Sequence, residues 1–207
     1  MAHGLFITFE GIDGSGKSSQ AHLLADCLRA KGFDVVLTRE PGGSAGAEEI
    51  RALVLEGDPD RWSAETEILL FTAARRDHLE KTIQPALAAG KIVVCDRFAD
   101  STRVYQGVTR GDLRGIVDQL HALMIGREPD LTFVIDMDPA TGLTRALSRG
   151  TSEERFEGFG ESLQRTMRAA FLDLAREFSH RCIVIDGDRE IATVAREVAE
   201  RALDALE

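Results

Sequence analysis

The sequence predicts an α/β fold built on a mainly parallel sheet, and three observations carry that reading. Five short apolar runs rich in Val, Ile and Phe alternate with longer amphipathic stretches. Most of the runs are apolar on consecutive residues, as strands covered on both faces should be. The composition, 43% hydrophobic and 29% charged over 207 residues, is that of a globular chain able to bury one sizeable core. No linker divides it, so residues 1–207 are expected to form a single domain.

The first run, "LFITFE" (5–10), turns abruptly into "GIDGSGKS". Gly11, Ile12, Asp13, Gly14, Ser15, Gly16, Lys17 and Ser18 fit the pattern GxxxxGK[ST], with a predicted strand before and a predicted helix after. Backbone N–H groups must turn inward around a phosphate there, and glycine reaches the dihedrals that this requires. The following helix aims its positive end at the anion. Lys17 would neutralise β- and γ-phosphate charge and Ser18 would ligate Mg²⁺. This is a P-loop, and it predicts a site for a nucleoside triphosphate. The helix "SSQAHLLADCLRAKG" stops at Gly32.

The second run, "DVVLT" (34–38), leads into "TREPGG" (38–43), which a plain turn would also explain. The next helix offers Arg51, either a salt-bridged surface residue or a ligand. In "EILLFTAARRDHL" (67–79), Phe71 and Arg75 are four apart and share a helix face. They are either a core ring beside a surface charge or a stacking platform beside a hydrogen-bond donor. The third run, "KIVVCD" (91–96), ends in "CDRF", where Asp96 and Arg97 suit a metal-side acid and a phosphate clamp, or a local ion pair. "DSTRVYQG" (100–107) gathers Thr102, Tyr105 and Gln106, groups that read a base edge or a sugar; Tyr105 is the only tyrosine.

The fourth run, "LTFVID" (131–136), precedes "DMDPATG", in which Asp138 reads as a helix cap with Pro139 in the first turn. Asp136 is a weaker alternative for a metal-side acid. "SRGTSEERFEGFGES" (148–162) is polar and breaks the pattern, as a surface loop or as a lid over about residues 149–160 hinged by Gly150, Gly158 and Gly160. The fifth run, "RCIVID" (181–186), is followed by "DGDRE" (186–190), which reads as a turn and cap before the last helix.

The net charge of −10 disfavours nucleic acid as a partner, although arginines gathered in one cleft can still hold a small anion. Cys27, Cys95 and Cys182 are dispersed in apolar surroundings and read as buried, reduced thiols of a cytoplasmic protein. The start "MAHGLFITFEG" lacks a basic n-region, and no run reaches membrane-spanning length. The five histidines lack paired spacing and there is no CxxC, which argues against zinc. The chain contains no asparagine, so the NKxD base reader of a GTP-binding switch is missing.

Taken together, "EGIDGSGKS", "TREPGG", "LLFTAARRDHL", "CDRF", "DSTRVYQG" and "RGTSEERFE" resemble the bacterial thymidylate kinases, in order and over nearly the whole chain. The resemblance implies a P-loop NTPase-type three-layer fold with a five-stranded parallel sheet flanked by helices, a short basic lid, and a homodimer. It implies transfer of the γ-phosphoryl group of ATP to dTMP with Mg²⁺. It further implies that Phe71 stacks on thymine, that Arg75, Thr102 and Gln106 read or fix the base, and that Tyr105 lies under the deoxyribose. Asp13, Glu40, Arg51 and Arg97 would hold the acceptor side and Asp96 would face Mg²⁺. Ser15 stands where some relatives place a P-loop arginine, so Arg149 and Arg155 of the lid would supply that charge. A deoxynucleoside kinase with Glu40 as base for a sugar hydroxyl, and a non-catalytic nucleotide switch, are the competing readings.

Overall fold

The computed structural model describes residues 4–58, 61–148 and 160–206. All five apolar runs form strands: β1 (Phe6–Glu10), β2 (Val35–Arg39), β3 (Ile92–Asp96), β4 (Leu131–Asp136) and β5 (Cys182–Asp186). They make one sheet in the order β2–β3–β1–β4–β5, with every neighbouring pair parallel. β1 is central, and β1 and β4 are buried along most of their length, which is why those runs lack polar alternation.

Helices cover both faces. On one face, α1 (Lys17–Ala30) lies beside α9 (Ile191–Asp204). There Leu24, Leu28, Val194 and Val198 pack on Ile7, Phe9, Phe133 and Ile135. On the other face, α8 (Glu161–Glu177) sets Met167, Phe171 and Leu174 against Val134 and Met137. Nearby, Leu79, Ile83 and Phe98 cover Phe6, Val93 and Cys95. Each such large side chain contributes about 1.5–3 kcal/mol by burial. Cys95 and Cys182 are buried free thiols as expected, whereas Cys27 is only half-buried on α1.

Four elements position the site. α2 (Ala45–Leu55) packs on α3 (Ala64–His78), whose N-terminus is capped by Ser63 accepting from the Thr66 N–H at 3.2 Å. α3 runs on through a wide turn, Leu79–Ile83, into α4 (Gln84–Ala88). "DSTRVYQG" belongs to α5 (Ala99–Tyr105) and its exit, and is followed by α6 (Arg114–Leu120) and a wide turn, His121–Ile125. α7 (Pro139–Leu147) is capped by Asp138, which accepts from the Thr141 N–H at 3.0 Å, with Pro139 at its first position as predicted. "DGDRE" makes the turn, but α9 begins after Glu190 with no side-chain cap; Asp188 accepts instead from the Asp138 N–H.

The carboxyl ends of β1, β2 and β3 face one crevice. There the chain order changes direction about β1, the position at which open parallel sheets hold ligands. Among the described residues, no helix is long and apolar enough to cross a membrane.

Candidate active site

One cavity of about 680 Å³ opens at these strand ends. Its lining includes Asp13, Gly14, Lys17, Ser18, Arg39, Glu40, Arg51, Phe71, Arg75, Asp96, Arg97, Thr102, Tyr105 and Gln106. Residues scattered from 13 to 106 in sequence are thus gathered in one place, most of them predicted. Arg149 and Arg155 lie outside the described residues.

The P-loop forms one end. Gly14 and Gly16 sit at φ 76° and 93°, which favour glycine. A Cβ on Gly14 would fall 2.0 Å from the Gly142 carbonyl oxygen of α7, so the loop and that helix touch backbone to backbone. Gly16 precedes α1 with no side-chain cap, leaving the first N–H groups of the helix for a ligand. Gly11, also at positive φ, lies against the Ile135 carbonyl, while Ile12 faces inward as a core residue. The Ser15 hydroxyl is buried with no hydrogen-bond partner among the described residues.

Lys17 folds back to donate to the Ile12 carbonyl at 3.0 Å and stands 3.7 Å from Asp13. Burial, and after it the Arg97 charge, lower its ammonium pKa to about 8 against the pull of Asp13, Asp96 and Glu10. Arg97 is the one non-glycine at positive φ among the described residues, at 68°. Its guanidinium donates to Asp13, to the Ser101 hydroxyl at 3.0 Å and to the Tyr105 hydroxyl at 3.2 Å. The Tyr105 hydroxyl in turn donates to Asp13 at 2.8 Å. Burial opposes charge on Asp13, yet Arg97 and then Lys17 hold its carboxyl below the ordinary range. Asp96, at the end of β3, keeps a buried Oδ1 with no hydrogen-bond partner among the described residues. Arg51 donates to the Pro41 carbonyl.

The other end is a closed chain of hydrogen bonds. Arg75, only 4% exposed, donates Nε to Glu40 Oε2 at 2.7 Å. Its Nη2 donates to Thr102 Oγ1 at 3.0 Å and to the Phe98 carbonyl at 3.1 Å. Glu40 Oε1 takes His78 Nδ1 at 3.0 Å, and His78 Nε2 meets the Thr38 hydroxyl at 2.8 Å. A carboxylate only accepts, so Nδ1 carries a proton; in a neutral ring Nε2 then accepts from Thr38. Both Glu40 oxygens are therefore occupied within the protein. Phe71 lines the cavity one helical turn before Arg75.

Sequence reasoning missed Glu10, Ser101 and His78 in these networks, and also Glu67, which accepts from Gln106 Nε2 at 3.2 Å. Glu10, fully buried, receives the backbone N–H of Phe98 and Ser101 at 2.7 and 3.3 Å and the Ser101 hydroxyl at 2.6 Å. It so acts as a remote cap for α5. Burial, then the Asp100 charge, push its carboxyl up to about 7 against those hydrogen bonds and Arg97. The signal was present in the sequence: Phe6, Thr8 and Glu10 share one strand face, and a glutamate at the third position calls for donors. Asp136, the weaker metal candidate, is held by Arg168 through two bonds of 2.6 and 2.7 Å. Arg39 pairs with Glu48 at 3.2 Å in an exposed position.

Comparison with known proteins agrees with this geometry. A family model described as thymidylate kinase matches residues 9–198. The thymidylate kinase of Ruegeria pomeroyi is 75% identical over 203 residues, 98% of this chain and 96% of that protein. That of Caulobacter vibrioides is 47% identical over 207 residues, 100% of this chain and 99% of that one. The crystal structure of thymidylate kinase from Ehrlichia chaffeensis superposes with a TM-score of 0.77 at 39% identity, covering 97% of this chain and 99% of that one. The matched span runs from the first strand into the last helix and contains every residue of the cavity, so the chain belongs to the thymidylate kinase family.

Proposed function

We propose that this chain transfers the γ-phosphoryl group of ATP to dTMP, giving dTDP and ADP. The observation that carries the reading is the make-up of the cavity at the strand ends. A phosphate cradle lines one end, and a ring, a guanidinium, a hydroxyl and an amide line the other. In a chain of this family, that arrangement suits a donor triphosphate and an acceptor thymidine monophosphate meeting end to end.

An oxygen of the dTMP phosphate attacks the γ-phosphorus while the bond to the β,γ-bridging oxygen breaks and ADP leaves with the electron pair. The nucleophile is already anionic, so no general base is needed. The obstacle is repulsion between two polyanions. Lys17, Arg97 and the lid arginines Arg149 and Arg155 offset it in our reading, by charge placed where it develops in the transition state. Gly11, Ile12, Asp13, Gly14, Ser15 and Gly16 form the cradle around the ATP phosphates. Arg51 and Arg97 hold the acceptor phosphate. Phe71 stacks on the base, Arg75, Thr102 and Gln106 read its polar edge, and Tyr105 supports the sugar. Glu40 serves by fixing Arg75.

Mg²⁺ fits the donor set: the Ser18 hydroxyl and Asp96 both line the cavity, and Asp96 Oδ1 is a buried oxygen with no partner among the described residues. Those two residues would hold it, and when bound it supplies charge neutralisation at the phosphate oxygens. The deoxynucleoside kinase reading needs Glu40 free to take a hydroxyl proton, and Glu40 is occupied by Arg75 and His78.

We further read the chain as a cytoplasmic homodimer. The free thiols of Cys27, Cys95 and Cys182 support the compartment. The dimer is supported by exposed apolar side chains on neighbouring elements: Leu69 on α3, Ile116 on α6, and Leu123 (79% exposed) and Met124 in the turn packed on α3. Leu123→Asp should shift the sedimentation coefficient from dimer to monomer, and an unchanged dimer would remove this face from consideration.

The test of the activity is an ADP-release assay with Mg²⁺, ATP and a panel of acceptors. Turnover is expected with dTMP and not with thymidine. Purified protein that leaves dTMP untouched would overturn the reading.

A further inference from the structure

We propose that Glu67 determines base specificity by fixing which end of the Gln106 amide faces the cavity. The inference rests on reading the cavity as a dTMP site. Glu67 lies on α3 one turn before Phe71 and two before Arg75, so the three share a face. It is 0% exposed and is not part of the cavity lining, whereas Gln106 is. A buried carboxylate must be paired. Here Gln106 Nε2 donates to Glu67 Oε2 at 3.2 Å, and Arg110 Nη1 lies 3.5 Å from Oε1.

The chemistry of that contact assigns the amide. A carboxylate can only accept, so the NH₂ group of Gln106 turns to Glu67 and its carbonyl oxygen is left for the cavity. Arg75, bound at Nε and Nη2 by Glu40, Thr102 and Phe98, can offer the cavity only donors. The base end therefore presents a donor from Arg75 together with an acceptor from Gln106. A 4-keto pyrimidine matches that polarity, because it carries a carbonyl oxygen beside an N3–H. A 4-amino pyrimidine carries an NH₂ beside a bare ring nitrogen, the reverse. Were the amide free to flip, Gln106 would present a donor and the distinction would weaken. Glu67 touches neither substrate nor reacting atoms, and it acts through Gln106 as a positioning residue.

The test is steady-state kinetics with dTMP and dCMP for the wild type, Glu67→Ala, Glu67→Gln, Gln106→Ala and the double variant Glu67→Ala/Gln106→Ala. Glu67→Ala should raise KM for dTMP roughly tenfold, the scale of one lost buried hydrogen bond, with KM for ATP unchanged. The ratio of kcat/KM for dTMP over dCMP should fall by a similar factor. In the Gln106→Ala background the second substitution should change neither quantity by more than about twofold, since coupled residues are non-additive. Glu67→Gln keeps the shape, and its one amide oxygen is contested by Arg110, so the ratio should narrow there too; this variant serves if Glu67→Ala does not fold. An unchanged dTMP/dCMP ratio, or single effects that multiply in the double variant, would reduce Glu67 to a structural role. A wild type inactive on dTMP would break the functional reading alone. The amide assignment is then decided by the Gln106 side-chain NH₂ protons, which in NMR spectra of the free protein should be protected from exchange and lose that protection in Glu67→Ala. Unprotected protons in the wild type would overturn it.

Discussion

The two ends of the cavity are built on opposite principles. At the base end, Thr38, His78, Glu40, Arg75 and Thr102 form an unbroken chain of hydrogen bonds, nearly all of it buried. At the phosphate end, Ser15 Oγ and Asp96 Oδ1 are buried with no partner among the described residues, and Lys17 is pressed among Arg97, Asp13 and Asp96. Arg97 holds its place there in a left-handed backbone conformation. At one end the side chains are held in place by one another, while the other keeps buried polar atoms that no described residue satisfies. In the proposed reading the base, which must be selected, would meet side chains already fixed by one another. The phosphates, whose charge must be stabilised as the reaction proceeds, would meet the less fully paired groups.

The comparison is broken most directly at Glu40. Glu40→Ala leaves Arg75 as a lone charge in the interior and should destabilise the fold by about 3–5 kcal/mol, read from denaturant unfolding. A loss under about 1 kcal/mol would mean that the base end is less closed than described. Next in size is Lys17→Ala, expected to lower kcat by a factor on the order of 10² or more while KM for dTMP stays close to wild type. Near-normal turnover would remove Lys17 from the charge-stabilising set.

Glu10 joins the two ends, because the strand that delivers the P-loop also caps α5. Its carboxyl is raised from 4.5 to about 7 by burial and the nearby Asp100. For an acid with a raised pKa in the folded state, stability is fully present below the unfolded value and is lost as pH rises through the folded one. Glu10→Gln, permanently neutral, should therefore gain in Tm relative to wild type as pH goes from 5 to 8. A difference in Tm that stays flat across that range contradicts the shift. The smallest expected effect is at Ser15. Ser15→Ala removes a buried hydroxyl that lacks a partner among the described residues, so the stability of the free protein should stay the same or rise by up to ~1 kcal/mol. A clear loss would mean that the phosphate end is satisfied after all.

The strands were legible because burial on both faces leaves a run of consecutive apolar residues, and the P-loop because its turn admits little besides glycine. Phe71 and Arg75 were legible as a pair through helical spacing. What fixes Arg75 was hidden: Thr38, Glu40 and His78 lie up to 40 residues apart along the chain and meet only when α3 packs against the end of β2. Glu40 accordingly read as a phosphate-side ligand, and the fold engages it with Arg75 and His78. Glu67 and Glu10 left a fainter trace, a carboxylate standing in the apolar phase of its own element. That trace says only that a donor must be near, and naming the donor required the fold.

The contact between Gly14 and Gly142 leaves no space for a single carbon atom in either direction, since a Cβ on Gly142 would lie 2.9 Å from the Asp13 carbonyl oxygen. The donor cradle is thus a two-piece object, half of it supplied by a helix encoded far downstream. Two main chains meet there, so a side chain added to either glycine would push the loop and the helix apart.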